Sequence, residues 1–254
     1  MKLNYKVYGE GFPLVILHGV FGSGDNWTTL AKKFGEQFKT IVPDLRNHGR
    51  SPHDEVFNYD VMVADLHELA GDLGFDQFHL IGHSMGGKVT MFFAEKYPQL
   101  LRKLVIVDIA PRKYPPHHQE IIAGFNSVDL ANTTSRQEAE EAMATNISET
   151  DIRQFLLKNL YRTDKGTFAW RVNLKAIEAN IEEVGKIFSN AKPVATPTLF
   201  IRGERSKYIQ ERDETDIFKQ FENVKIETVA KAGHWVHAEQ PEAVFELVQK
   251  FLNG

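Results

Sequence analysis

Cysteine is absent from the 254 residues. That absence removes disulfides, thiolate metal sites and a cysteine nucleophile together. Also missing is any apolar run of membrane-spanning length. The N-terminus, Met1 to Lys6, opens as an alternating strand and lacks the apolar core of a signal segment. There is no basic excess: 30 Lys and Arg stand against 34 Asp and Glu, for a net charge of −4, which argues against a nucleic-acid partner. The expectation from these absences is a cytoplasmic protein, monomer or homodimer, that meets neither membrane nor nucleic acid. With 42% hydrophobic and 25% charged residues, the chain can build one large α/β domain with a substantial core.

What is present is organised around Leu80-Ile81-Gly82-His83-Ser84-Met85-Gly86-Gly87. An apolar run from Phe78 to Ile81 leads in, and a helix-like run from Lys88 to Tyr97 leads out. Gly-x-Ser-x-Gly therefore falls on a strand, a sharp turn and a helix. A serine on so tight a turn has its hydroxyl pushed out above the sheet, and Gly82 and Gly86 let neighbouring backbone pass close by. The N-terminus of the following helix, beginning with the Met85 N–H, points at the serine and can stabilise a developing oxyanion.

Around this stretch the pattern is that of a mostly parallel sheet. Leu3, Tyr5 and Val7 alternate as in an edge strand, and Pro13–Leu17, Thr40–Pro43 and Leu104–Val107 are short apolar runs. Asn26-Trp27 begins a helix expected to reach about Phe38. Met62, Leu66, Leu69 and Leu73 form a second, stopped by Gly74. His18-Gly19-Val20-Phe21-Gly22 ends a central strand and can offer a second oxyanion donor, expected from Val20 with Phe21 as the alternative. Asp44 and Arg46 are read as loop-holding residues, and His48 as structural.

From Pro111 to about Pro193 the rhythm breaks. The pieces Pro116–Phe125, Arg136–Ala144, Thr150–Leu160 and Leu174–Phe188 look helical, and no clear apolar strand is present. The expected organisation is a core of residues 1–110 and 194–254, with a helical cap of residues 111–193 inserted after the sixth strand. Cap residues such as Phe125, Phe155, Leu156, Phe168 and Trp170 either pack the cap down or line an acyl pocket. His117-His118 shows no ligand spacing around it, and no metal is expected. The sheet resumes at Thr198–Ile201 and Val224–Val229, and a last helix starts at Pro241.

Ser84, Asp108 and His234 all fall at strand ends on the edge where open parallel sheets bind ligands. Serine needs a neutral imidazole to take its proton, and the imidazole needs a carboxylate to orient it. Glu204, also at a strand end, is the alternative acid. His83 should point away from the hydroxyl, and His237 is read as solvated or a rim residue.

His18-Gly19, Asp44 to Ser51, Gly82 to Lys88, Val107 to Arg112 and Gly233-His234-Trp235 resemble the α/β-hydrolase superfamily, and within it the small bacterial serine esterases of the YbfF type. The likeness spans nearly the whole chain and is weakest in the cap. It implies a carboxylesterase or acyl-thioesterase acting on short-chain esters or acyl-CoA thioesters without a cofactor. Many members of the superfamily carry the acid in the loop that here reads Gly203-Glu204-Arg205-Ser206, where serine takes the expected acid position. The YbfF-type proteins resemble this chain in placing it at Asp108. Competing readings are a carbon–carbon bond hydrolase, lyase or perhydrolase on the same scaffold, and a non-catalytic ligand-binding protein.

Overall fold

A computed structural model describes residues 1–116 and 118–254. His117, half of the adjacent histidine pair, lies outside the described residues. The chain begins β1 (Tyr5–Tyr8), β2 (Phe12–Leu17), α1 (Thr28–Phe34), β3 (Phe38–Pro43) and α2 (Tyr59–Asp72). It continues β4 (Phe78–His83), α3 (Met85–Lys96) and β5 (Leu101–Val107). An insertion holds α4 (Gln119–Asn126), α5 (Arg136–Met143), α6 (Thr150–Leu157), β6 (Leu160–Arg162), β7 (Phe168–Trp170), α7 (Leu174–Ala179) and α8 (Ile181–Val184). Finally come β8 (Thr198–Gly203), α9 (Glu211–Gln220), β9 (Val224–Val229), α10 (Val236–Glu239) and α11 (Pro241–Asn253).

Seven strands form one sheet in the order β1-β3-β2-β4-β5-β8-β9, parallel throughout except for β1, which runs antiparallel to β3. The apolar runs explain this arrangement. Successive strand side chains alternate between faces, so a strand that is apolar at every position must be covered on both sides. Leu14, Ile16, Ile81, Val105, Val107, Leu199 and Ile201 join the core beneath α1 and α11. Their neighbours Val15, Leu17, Leu80, Leu104, Ile106 and Phe200 join the core beneath α2 and α3. Among the described residues, no helix is long and apolar enough to cross a membrane.

Four expectations change. The insertion follows the fifth strand, because a single antiparallel strand, β1, stands at that edge of the sheet. The first helix stops at Phe34, and Phe38 already pairs with Phe12 as the first residue of β3. The insertion is not purely helical: β6 and β7 form an antiparallel hairpin, closed through Gly166 at φ 83°. Three-residue strands are too short to show a period of two. The expected 174–188 helix is also broken at Asn180, which caps two shorter helices.

At the serine turn the glycines do steric work. A Cβ on Gly82 would overlap the carbonyl oxygen of Gly86, so α3 packs against β4 only if that position is bare. Gly71, in the last turn of α2 and exposed, has nothing within 4 Å of such a Cβ. Gly82→Ala is therefore expected to destabilise by about 2–3 kcal/mol through overpacking. Gly71→Ala is expected to stabilise by up to about 0.5 kcal/mol, since the full propensity difference applies only in a helix interior. Urea unfolding of the two variants checks both signs.

Candidate active site

β4 delivers Ser84 to the carboxyl edge of the sheet. Its backbone is held at φ 52° and ψ −118°, a conformation non-glycine residues rarely adopt. Two ladder bonds carry the sheet past its regular ends: the Ser84 N–H donates to the Val107 carbonyl (3.0 Å), and the Asp108 N–H to the Ile201 carbonyl (2.8 Å). Ser84 and Asp108 thus stand side by side on neighbouring strands. Asp108 also has positive φ, 53°.

His234 arrives on the loop after β9 and meets both. Its Nδ1–H donates to Asp108 Oδ2 (2.8 Å), and its Nε2 lies 3.1 Å from Ser84 Oγ. The carboxylate acceptor places the proton on Nδ1, which leaves Nε2 free to accept from the serine hydroxyl. The base loop is fastened from three sides. The buried His83 donates through Nε2 to the His234 carbonyl (2.8 Å). Tyr208 stacks on the imidazole at 3.7 Å between ring centroids. Glu239 accepts from the Gly233 N–H (2.9 Å).

Asp108 is fully buried. Desolvation pushes its carboxyl up to about 7, opposed by hydrogen bonds from Ser206 Oγ and from the Gly203 N–H (3.1 Å). Ser206, at the position where an acid is common in the superfamily, is therefore a donor that favours ionised Asp108. Glu204, the alternative acid, is not brought to the histidine. It accepts from the Lys231 N–H (2.8 Å) at the surface. Arg205, its neighbour, pairs with Glu239 instead (2.9 Å).

The oxyanion candidates separate as well. The Phe21 N–H, held as the alternative, donates to His48 Nε2 (3.2 Å) and so points into the core. Val20 lines the cleft with Ser84, and among the described residues its N–H makes no hydrogen bond to protein. Met85 is the first residue of α3, where an amide has no intrahelical acceptor. The Gly19 carbonyl, in the same peptide plane as the Val20 N–H, accepts from His18 Nδ1 (2.8 Å) and from the Gly22 N–H (3.1 Å).

The polar loop after β3 is structural scaffolding. Asp44 accepts from the Gly24 and Arg50 N–H groups (both 2.8 Å), and Arg46 forks onto the buried Asp65 at 2.6 and 2.9 Å. His48 donates through Nδ1 to the Arg46 carbonyl (2.8 Å), and burial pushes it down to about 3, so it stays neutral. His237, expected at the rim, is buried and stacked on Trp27 at 4.2 Å, because α10 folds it under the base loop. Among the described residues, no group of three or more His, Asp or Glu side chains is arranged to hold a metal.

Two spaces meet at Ser84. The wider encloses about 990 Å³ of solvent-open volume and is walled by Ile121, Ile147, Ile152, Phe155, Leu156 and Trp235; His234 faces it. The narrower, a tight crevice, lies among Met85, Ile109, Tyr114, Ile181, Val184 and Tyr208. Of the aromatic residues anticipated in the insertion, Phe155 lines the wide cleft, whereas Phe125 packs Phe21 against Trp170. Tyr208 and Asn159 carried no signal in the sequence. Ser206 was visible only as a serine where an acid was expected.

Residues 13–241 match the model of the alpha/beta hydrolase fold. The chain is 37% identical to "Esterase YbfF" of Escherichia coli K12, covering all of both chains. It is also 37% identical to "sn-1-specific diacylglycerol lipase ABHD11" of Danio rerio, over 99% of this chain and 83% of that one. A solved "Marine microorganism esterase" superposes with a TM-score of 0.96 at 38% identity, covering 98% of this chain and 99% of that one.

The Asp108 environment fixes the sign of a pH effect. The carboxyl ionises as pH rises, and the carboxylate favours the His234 tautomer that carries its proton on Nδ1 and leaves Nε2 to accept from Ser84. Labelling of Ser84 by a fluorophosphonate should therefore rise through an acid limb near neutrality. Ser206→Ala removes a hydrogen bond that favours the carboxylate, so the limb should move to higher pH and the rate at pH 7 should fall several-fold. Labelling rates measured from pH 5 to 9 check this; an unmoved limb would mean Ser206 does not tune Asp108.

Proposed function

The chain belongs to the alpha/beta hydrolase family, and from that premise we propose that it is a serine carboxylesterase. The observation that carries the reading is the hydrogen-bonded row Ser84, His234, Asp108, set at the meeting point of two cavities. Ser84 Oγ attacks the ester carbonyl while His234 Nε2 takes its proton. The N–H groups of Val20 and Met85 receive the oxyanion. His234 returns the proton to the leaving alcohol, and water repeats the sequence on the acyl-enzyme. Residues 111–193 serve as a cap over the site, completing both cavities.

The leaving oxygen must come within reach of His234 Nε2, and His234 faces the wide cleft. The alcohol portion therefore occupies that cleft, and the acyl portion occupies the narrow pocket, which suits a short acyl chain. Thioesters fit the same chemistry. The phosphate groups of an acyl-CoA, however, find no Lys or Arg among the described residues lining the wide cleft, which instead carries Glu120 and Glu149. Uncharged esters are thus the favoured class.

Ser84→Ala is expected to lower kcat by several orders of magnitude, leaving roughly 10³-fold catalysis over water from binding and the oxyanion donors. Turnover of p-nitrophenyl acetate measures it, and parental activity in the alanine variant would sink the proposal. Val184→Ala should widen the narrow pocket and move the preferred acyl chain by one or more carbons upward. Phe155→Ala should alter the preference among alcohols at constant acyl chain. An acyl series and an alcohol series on the two variants read these out; the opposite pairing would reverse the two pockets.

A further inference from the structure

Phe21 is a third residue near the site, after Ser84 and Asp108, held at positive φ. It sits at φ 60°, buried, directly after the amide assigned to the oxyanion. A phenylalanine stays in the left-handed region only if its surroundings hold it there. Both of its peptide groups are gripped. From the core, His48 Nε2 accepts the Phe21 N–H at 3.2 Å, and His48 is itself fixed by donating to the Arg46 carbonyl. From the insertion, Asn159 Nδ2 donates to the Phe21 carbonyl at 2.7 Å. The second hydrogen of the same amide goes to the Leu156 carbonyl at 3.1 Å. Two carbonyl acceptors leave only one orientation for that side chain. Asn159 is buried, and its own carbonyl accepts from the Arg171 N–H (2.9 Å), which ties it to the hairpin β6–β7. The Phe21 ring packs at 5.5 Å on Phe125 of α4, so side chain and backbone both depend on the insertion.

We propose that Asn159 is a positioning residue through which the cap holds the oxyanion loop in its working conformation. His48 is the inner half of the bracket and Asn159 the outer half. Releasing the outer half lets the Phe21 peptide relax toward an unstrained conformation. The adjacent Val20 N–H then turns away from Ser84. Seating of the cap and assembly of the oxyanion donors are thus one event. This inference rests on the esterase reading and on Val20 as a donor.

The test uses the full chain with Asn159→Leu, which keeps the volume and removes the donor, and Asn159→Ser, whose hydroxyl is too short to reach. Sites are counted by fluorophosphonate labelling, so that misfolded protein does not count. The expected kcat per labelled site falls about 10–100-fold, somewhat less than for outright loss of an oxyanion donor. The fall should be the same for acetyl and longer esters, with KM within about twofold and the acid limb of the pH profile unmoved. Affinity for a trifluoromethyl ketone, whose hemiketal oxygen occupies the oxyanion position, should fall by the same factor as kcat/KM. Parental kcat per site in either variant overturns the proposal. So does a loss that changes with chain length or shifts the pH limb, since the residue would then act through the pocket or through the base. Ser84→Ala run alongside separates the layers: if it keeps turnover, the esterase reading itself falls. If it is inactive while Asn159→Leu turns over normally, only the bracket falls.

Discussion

The turn at Ser84 is the constraint to which the rest of the site is fitted. A non-glycine residue at φ 52° and ψ −118° is unfavourable by about 1–3 kcal/mol and persists only where its neighbours leave it no alternative. Its neighbours here are backbone. Gly82 and Gly86 lack the Cβ that would strike the Gly86 and His18 carbonyls respectively, so β2, β4 and α3 close on the turn from three directions. The same economy repeats around the site. Phe21, Asn47, Asp108 and Lys231 are the other non-glycine residues of positive φ among the described residues: Asp108 pairs with His234, Lys231 lies on the loop that carries His234, Phe21 follows the cleft residue Val20, and Asn47 precedes the His48 that holds Phe21. Strain collected at one edge of the sheet is offset by two apolar cores on its faces, where strands and helices are regular.

Holding such loops in a dry interior demands side chains that donate and accept at once without carrying charge. Neutral imidazole meets that requirement, and the chain uses it repeatedly. His18 accepts from the Leu45 N–H (2.9 Å) and donates to Gly19, while His48 accepts from Phe21 and donates to Arg46. His83 donates to the backbone of His234. Burial pushes all three below the ordinary imidazole range, which keeps each in the single tautomer its partners require. Lys88, on the helix that follows the serine, shows the contrasting solution. Its buried amino group donates to the carbonyls of Pro111 and Arg112, both at 2.8 Å, and fastens the start of the insertion to α3, while desolvation pushes it well below the ordinary lysine range.

Much of the fold was legible because its signals are local. Apolar runs bounded by turn residues marked β2, β3, β4, β5 and β8, since a strand buried on both faces cannot alternate, whereas the half-exposed edge strand β9 does alternate. Gly-x-Ser-x-Gly announced the turn, because the steric requirement sits within five residues. Where the signal was shorter than the period that would reveal it, reading failed. The hairpin Leu160–Arg162 with Phe168–Trp170 showed no strand signal and lies mostly between the expected helices 150–160 and 174–188, and nothing marked the break at Asn180. His237 was misplaced for a related reason: nothing adjacent to it shows that Trp27, 210 positions earlier, will cover its ring.

The sequence by itself determined the kind of sheet, the serine turn and the short set of strand-end residues that can meet there: Ser84, Asp108, Glu204 and His234. These follow from periodicity and from steric demands between near neighbours, and near neighbours are what a sequence displays. Only the tertiary structure decided between the members of that set. His234 meets Asp108 and not Glu204 through a contact spanning 126 residues, and it reaches Ser84 across 150. Likewise, the Phe21 N–H donates to His48 and the Phe21 carbonyl accepts from Asn159, 138 residues away. Such pairings are set by strand order and by how the insertion packs onto the sheet. They become definite only when the apolar faces are buried and each polar group left inside has to find the partner that geometry offers it.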